Sequence, residues 1–584
     1  MRHIVAVLSI ALLAACNSST KPGPTLTSLN PATGTVGTIV TISGSGFAQS
    51  GSTNPAVTFT PSSGGAGVAA TIQSFSATAL DVVVPQATAA DGTQFDVSVA
   101  NPGTASTTLK KAFTMTAPVV TDVNGGLTGS GTVNSLFIVD GQHFGDLSAA
   151  AASGYSVDFR DAASNAVVAS AAVNFANSDW QDIFIVGTVP GSLAASTTYK
   201  VTVTTPSGTS APLNFLVTGV VSFSPSAIQW SATSALPAAQ QGFGAVTNGI
   251  LLYALGGNTA STTTANGKAS NQASVAFNQF TPATGALANA SWTTTTALPD
   301  KRGFAAAVSA NGFNSVVTGT GNLYVLGGLD STGAAVSTVY TAAINADGTI
   351  PAAAAPGTWT ATTALPQPLF AAGAAIFHGR IYLAGGNDST GAPVAKVYSA
   401  KINADGTLQA WQTLPDLPAA VAYHQVVTSG AYLYIVGGTN AASVDPVSKT
   451  QSSGSSGAIE YASINIRNGT IPSWTSNASS MGKSREKFTA VVAGSYVLVS
   501  GGLYNGASTG ASEQSYAALN SDGSVSSFNG ATGSHTISGS SGGYDFFNHE
   551  AVLFVDTAGN PHVLVLGGED LNAGTPVSGV WLQH

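Results

Sequence analysis

An apolar run ending in two glycines recurs six times along the C-terminal part of this chain, and nothing else in the sequence constrains the fold as strongly. The runs occupy residues 252–257, 323–328, 381–386, 433–438, 497–502 and 563–568, and their first glycines lie 71, 58, 52, 64 and 66 residues apart. An aromatic opens the small-residue segment before each pair: Phe243, Phe304, Phe370, Tyr423, Phe488 and Phe547. Further upstream stands a tryptophan with Leu-Pro behind it: Trp230 with Leu236-Pro237, Trp292 with Leu298-Pro299, Trp359 with Leu365-Pro366, and Trp411 with Leu417-Pro418. Trp474 lacks the Leu-Pro, and Phe528 takes the sixth place. Between glycine pair and tryptophan lie Asp347-Gly348, Asp405-Gly406, Asn468-Gly469 and Asp522-Gly523, residues that tolerate the positive φ of a tight turn. Each unit has room for four strands and their loops, so the period predicts one small sheet per unit.

Six copies agreeing in this order resemble kelch repeats. The resemblance implies four-stranded blades around a central channel, with the glycine pair allowing close backbone packing and the tryptophan covering the outer blade core. The last unit reaches its third strand near residues 577–582 and the sequence stops at His584, while residues 228–230 around Trp230 precede any glycine pair. Pairing those two segments closes a ring of six and leaves only short sheet edges. Residues 219–584 are therefore expected to form a six-bladed kelch-type β-propeller, closed by the Trp230 strand.

Upstream, period-two strands at short intervals predict two β-sandwiches, at 24–117 and 118–218. In the first, Pro31 and Gly34 precede a strand that runs into Gly44-Ser45-Gly46-Phe47, a pattern that looks like the IPT/TIG family of immunoglobulin-like domains. The second is less faithful: Gly141-Gln142-His143-Phe144 replaces the Gly-x-Gly-Phe turn, and His143 reads as a turn residue. The expected class is all-β: two immunoglobulin-like sandwiches followed by the propeller. Some members of the family grip DNA, but with 17 basic against 26 acidic residues and no basic run this chain is not expected to bind nucleic acid.

Residues 1–15 read as an export signal, with Arg2 before a short apolar stretch, and Leu13-Ala14-Ala15-Cys16 resembles the bacterial lipobox. The resemblance implies cleavage before Cys16 and its acylation, with residues 16–23 as a polar tether. Asn17 in place of Asp implies passage to the outer membrane in enteric-type bacteria, so the expected location is the cell envelope, periplasmic or surface-exposed. Cys16 is the only cysteine, which excludes an internal disulfide in the mature chain.

No catalytic motif is present, and no cofactor or metal is expected; a copper-radical site is excluded because it needs a second, crosslinked cysteine. Asn345-Ala346-Asp347-Gly348 and Asn403-Ala404-Asp405-Gly406 read as turns rather than calcium loops, since they lack spaced acidic ligands. In a chain with only 7% charged residues, polar side chains gather where the innermost strands begin. Gln241, Arg302, His424, Arg485, Lys487, His549 and Glu550 are the candidate ligand-binding residues at the channel mouth. Arginines there suit a carboxylate or sugar hydroxyls, and His424 and His549 with Glu550 suit acid–base work. Bonds between neighbouring blades are the plainer explanation, and kelch repeats commonly carry an arginine at this point. Residues 259–272 and 448–457, rich in Ser, Thr and Asn, read as loops suited to weak polar recognition of glycans or proteins. The leading expectation is a membrane-anchored surface protein that binds a glycan or an envelope protein. The alternatives are a carbohydrate-active enzyme of the mutarotase or epimerase kind, by fold-level likeness to a six-bladed bacterial sialic-acid mutarotase, and a structural part of a surface assembly.

Overall fold

The computed structural model describes residues 23–583 except 51–52, 86–88, 124–127, 146–153, 174–179, 182–183, 219–229, 262–266, 312–320, 353–354, 404, 443, 449, 467, 505–513, 521, 531–545, 557–559 and 571–572. The expected export signal, residues 1–15, and Cys16 lie outside the described residues. Among the described residues the regular structure is β-strand apart from one 3-10 turn at Gly267–Ala269.

Two sandwiches come first. One pairs Thr25–Asn30, Ile39–Ser45, Ala79–Val83 and Thr71–Phe75 in one sheet and sets it against a second sheet containing Ala56–Pro61, Gln94–Ala100 and Thr107–Met115. The inward faces alternate as a half-buried strand requires: Val40 and Ile42 meet Phe59, Phe95, Val97 and Phe113 in one apolar core. The second sandwich repeats the plan, with Leu136–Gln142 and Phe184–Thr188 facing Ser156–Asp161, Thr197–Thr205 and Leu213–Thr218. The corner after the long strand is built the same way in both. Phe47 lies over Gly44 and Phe144 over Gly141, where a Cβ would collide with the ring and with the carbonyl of the neighbouring strand. The next turn residue is left-handed in both, Gly46 at φ 74° and His143 at φ 61°. The imidazole therefore stands where a glycine is favoured. The two sandwiches touch where Thr35 meets Thr205 and Ser207, and where the Tyr155 hydroxyl donates to the Val36 carbonyl at 3.3 Å.

Among the described residues from Trp230 onward, most strands form six four-stranded antiparallel sheets, with two smaller sheets beside them. Their first strands are Gly244–Asn248, Ala306–Asn311, Gly373–Phe377, Gln425–Ser429, Thr489–Ala493 and Glu550–Val555, numbered here sheets 1 to 6. In sheet 6 the outer strand is Trp230–Ala232, antiparallel to Val580–Gln583 with Trp230 opposite Gln583 and Ala232 opposite Trp581. Small residues (Gly244, Ala307, Gly373, Ala490, Ala551) recur along five of the first strands. Each pair of successive sheets encloses an apolar layer, for example Tyr324 and Leu326 against Ile381 and Leu383, or Val436 and Ile459 against Val497 and Val499. The layer between sheet 6 and sheet 1, with Leu564 and Leu566 against Leu252 and Ala254, has the same character.

The glycine pairs belong to this stacking. All twelve glycines have positive φ, between 55° and 109°, a conformation that side-chain-bearing residues resist. In that geometry the second glycine turns its amide toward the next sheet: Gly257 donates to Arg302, Gly328 to Leu369, Gly386 to Val421, Gly502 to Phe546 and Gly568 to Gln240, at 2.7–2.9 Å. Farther out, Tyr253, Tyr324 and Tyr382 donate their hydroxyls to the carbonyls of the turn glycines Gly348, Gly406 and Gly469 one sheet on, at 2.8–3.1 Å. At the rim the indoles of Trp292, Trp359, Trp411 and Trp474 donate to Ser234, Thr296, Thr363 and Pro415 of the preceding sheet, at 2.9–3.1 Å. The Asp-Gly turns are closed from within: Asp347 and Asp405 each accept from the amide and hydroxyl of the Thr two residues on, at 2.6–2.9 Å.

A left-handed residue other than glycine costs roughly 1 kcal/mol. Ala371, at φ 52°, and His143 are therefore two places where glycine relieves strain without removing a contact made by a large core side chain. The variants His143→Gly and Ala371→Gly are each expected to raise unfolding free energy by about 1 kcal/mol, measured by denaturant titration. A fall in stability at both would show that these turns are not strained.

Candidate functional site

The first strands converge at one end of the six sheets on a ring of six residues: Gly242, Phe304, Ala371, Tyr423, Lys487 and Asn548. Each has φ between 52° and 57°. The amide of Phe304 donates to the carbonyl of Gly242, Ala371 to Phe304, Tyr423 to Ala371, Lys487 to Tyr423, Asn548 to Lys487, and Gly242 back to Asn548, at 2.7–3.1 Å. The left-handed turn brings each amide round to the preceding carbonyl, so six backbone donors and six acceptors are satisfied in one closed cycle.

This ring gives the register of the candidate residues. Arg302 and Arg485 stand two positions before it, and both are buried. Arg302 is held by Asp300 and the Lys301 carbonyl at 2.7 Å and lies over the Tyr340 ring, 5.0 Å from its centroid. Arg485 is fully buried and donates to the Gly501 carbonyl at 2.7 Å and to Ser515 at 3.3 Å. Gln241, one position before the ring, donates to Ala260 and Glu569 and accepts from Asn548. Among the described residues, these three side chains bond to neighbouring parts of the chain.

His424 and His549 stand one position after the ring, at the same step as Phe243 and Phe488. All four rings lie on the first glycine of the preceding sheet: Phe243 on Gly567, His424 on Gly385, Phe488 on Gly437 and His549 on Gly501, where an added Cβ would come within 2.5–2.9 Å. The imidazoles fill the place of a phenyl ring. Burial pushes both down to about 4, against a weaker opposing pull from the Ala384 and Ser500 backbones. Both are neutral at pH 7. Glu550, two positions after the ring, is pushed up to about 8 by burial alone. It borders a small chamber. The chamber holds about 80 Å³ between the ring residues, His424, Gln425, Phe488, His549 and Glu550. Among the described residues no group of three His, Cys, Asp or Glu side chains is placed to hold a metal ion.

The mouth itself is covered. Residues 444–448 cross it, with Pro446 and Val447 buried and Asp445 turned outward. Val447 packs with Ala260, Phe304, Phe370 and Tyr423. Lys487 is buried and its ammonium donates to the carbonyls of Asp445 and Ser448, both at 2.8 Å, while lying 5.3 Å from the Tyr423 ring centroid and 5.8 Å from that of Phe547. Asn548 donates to the Pro446 carbonyl at 2.7 Å, and the Tyr423 hydroxyl to that of Val444 at 3.4 Å. Glu486, fully buried, accepts from the Ser452 amide and hydroxyl and from Ser455, at 2.5–3.0 Å. In the loop read for polar recognition, Ser452 and Ser455 are thus turned to a buried carboxylate, which needs hydrogen-bond donors, while Ser453 is exposed.

At the other end the first strands border a cavity of about 650 Å³, lined by Val246, Val308, Ile376, Val427, Val491 and their neighbours and by Ile138 and Asp140 of the second sandwich. There His378 bonds Asp140 at 2.6 Å, meets the Ile466 carbonyl at 3.0 Å and stands edge-on to the Phe184 ring at 4.9 Å. Ile138, Phe184 and Val186 pack beside Phe377 and Ile466. His378 reads in the sequence only as a turn residue, and its contact with Asp140, 238 positions away, leaves no local signal.

Residues 24–115 match the IPT/TIG domain, and this part of the chain is such a domain. Among solved structures, "Structure of YjhT" is similar at a TM-score of 0.40 and 14% identity, over 60% of this chain and 95% of that one. No curated protein sequence matches the chain.

The histidine placement sets a pH dependence. Unfolded, both imidazoles titrate near 6.5; folded, near 4, so the unfolded chain binds more protons between those values. Their contribution to stability is complete above pH 6.5 and is lost as pH falls toward 4, by up to about 1.4 kcal/mol per pH unit for each ring. The double variant His424→Phe/His549→Phe, which copies Phe243 and Phe488, is expected to flatten the fall in melting temperature between pH 6.5 and 4.5. An acid slope equal to that of the parent would show that these imidazoles are not neutral packing rings.

Proposed function

We propose that the chain is a lipid-anchored binding protein of the bacterial cell envelope. In this reading Cys16 carries the anchor, both sandwiches are IPT/TIG-like spacers, and residues 219–584 form a six-bladed kelch-type propeller that recognises a glycan or protein partner. The propeller reading is supported by the ring of six head-to-tail amide bonds with one residue per sheet, and by the pairing of Trp230–Ala232 with Val580–Gln583. The family whose repeats these resemble has that arrangement of blades.

The observation that carries the functional reading is the inequality of the two ends of the six-sheet unit. One end rests on the second sandwich through His378 and Asp140, while at the other the loops around the ring present a surface against which none of the described sandwich residues packs. A spacer bound at one end favours recognition at the opposite one. Binding is favoured over catalysis because His424 and His549 serve as neutral packing rings, and Arg302 and Arg485 are committed to bonds within the chain. The same mouth residues remain the proposed site, acting as its wall.

The anchor is tested by cell fractionation. Cys16→Ala is expected to move the protein from the membrane fraction to the soluble one, and an unchanged distribution would remove Cys16 as the anchor. The recognition end is tested with the full mature chain, by glycan array and by quantitative crosslinking to envelope proteins. Saturable binding is expected that Lys301→Glu, an exposed change beside the ring, weakens at least tenfold. Lys110→Glu, an exposed change on the first sandwich, is expected to leave it unaltered. Equal sensitivity at both positions, or no saturable binding, would overturn the reading.

A further inference from the structure

We infer that the channel mouth is a peptide-binding site whose ligand place is filled by the chain's own residues 444–448. The inference rests on the binding-protein reading above and gives it a ligand class.

The mouth holds this segment as a receptor holds a peptide. Three side chains that project from the ring itself, Tyr423, Lys487 and Asn548, reach over it, and each donates a hydrogen bond to a backbone carbonyl, at Val444, Asp445, Pro446 and Ser448. The donors contact no polar side-chain atom of the segment, so they read its main chain. The one side chain read is apolar: Val447 sits in the pocket of Ala260, Phe304, Phe370 and Tyr423, with Pro446 buried beside it. The Asp445 side chain faces outward.

The electrostatics select the same chemistry. Lys487 is buried, and its ammonium is pushed down to about 8 by that burial, with the charges of Glu486, Asp445 and Glu569 acting in the opposite direction. A buried ammonium needs oxygen acceptors, and the two carbonyls at 2.8 Å supply them. Asn548 is oriented for its task by Gln241, whose amide oxygen accepts its other bond at 2.7 Å. A partner that displaces residues 444–448 must therefore bring closely spaced carbonyl oxygens and one small branched apolar group. An extended peptide with a Pro–aliphatic pair meets both needs. Among the described residues, the side chains that bond the carbonyls of the segment are these three, so a competing peptide replaces like with like.

The test uses the full mature chain and a fluorescent peptide with the sequence of residues 441–450, titrated by anisotropy. The parent chain is expected to bind it weakly, because the tethered segment competes. The variant V444G/P446G/V447G, which keeps the loop length and removes the apolar grip, is expected to bind at least tenfold more tightly. Adding Lys487→Met or Asn548→Ala to that variant is expected to reverse the gain tenfold or more, and a peptide with Asp in place of the second valine is expected not to bind. If the triple variant fails to fold, Val447→Gly alone is titrated, since it opens the pocket with a single exchange. A folded variant that gains no affinity, a gain indifferent to Lys487 and Asn548, or displacement of the peptide by a sugar and not by unlabelled peptide would overturn the inference. Partner binding sensitive to Lys301→Glu that persists after such a failure would leave the broader reading standing, while loss of both would remove it.

Discussion

Six residues in the left-handed conformation, each donating its amide to the carbonyl of the one before, form the tightest constraint in this molecule. They bring six strands from six sheets to within one hydrogen bond of their neighbours. The side chain that follows each must then be small or flat: Ala305 and Ala372 in two sheets, a phenyl or imidazole ring in the other four. Those rings need a surface without a Cβ, and the first glycine of each pair supplies one. The second glycine aims its amide at the next sheet. Glycine pair, ring residue and flat side chain are thus one device repeated around a closed cycle. Five of the six left-handed residues carry side chains, a strain of roughly 1 kcal/mol each, comparable with the net worth of the hydrogen bond each position makes. The ring therefore sets geometry more than it supplies stability, which comes from the apolar layers between sheets.

Links between sheets recur at three radii. Ring amides join them at the centre, tyrosine hydroxyls reach turn glycines midway, and tryptophan indoles reach carbonyls at the rim. Each uses a donor at the end of an otherwise apolar side chain, so burial and bonding come from the same residue. This suits a chain with so few charges. Several of the charges it buries lie near the ring, and three of them are compensated there: Arg485 by a carbonyl and a hydroxyl, Glu486 by serines, Lys487 by carbonyls and two aromatic faces. An uncompensated ion at that depth would cost several kcal/mol. The segment crossing the mouth is therefore part of the electrostatic balance of the ring as well as its cover.

At the opposite end the second sandwich meets the six-sheet unit through a small mixed contact. An imidazole is held by a carboxylate and a carbonyl, beside a patch of Ile138, Phe184, Val186, Phe377 and Ile466. The first sandwich joins the second through hydroxyls and one tyrosine. The junction with the six-sheet unit is small and mixed, unlike the continuous apolar layers between sheets, whereas the buried residues of the two sandwiches form one continuous apolar cluster.

Much of this organisation is legible in the amino-acid order because it is local or periodic. Glycine pairs mark where the backbone must turn left-handed, Asp-Gly and Asn-Gly mark turns, and alternation marks half-buried strands. The Gly-x-Gly-Phe corner of the IPT/TIG domain can be read for the same reason. The aromatics before each glycine pair mislead slightly: Phe304 and Tyr423 occupy the ring, Phe370 and Phe547 precede it, and Phe243 and Phe488 follow it. Only the backbone conformation separates these three steps, since each places a buried ring in the same narrow space. The roles of His424 and His549 could not be read in advance, because an imidazole used as a flat packing surface has the same letter as one used for proton transfer. Nor could the contacts of residues 444–448 with the ring and of Ser452 and Ser455 with Glu486, or the reach of His378 to Asp140. A loop or turn shows its composition in sequence, but its partners are set by which distant donors and acceptors the closed stack of sheets leaves to be satisfied, and that is decided only when the tertiary structure forms.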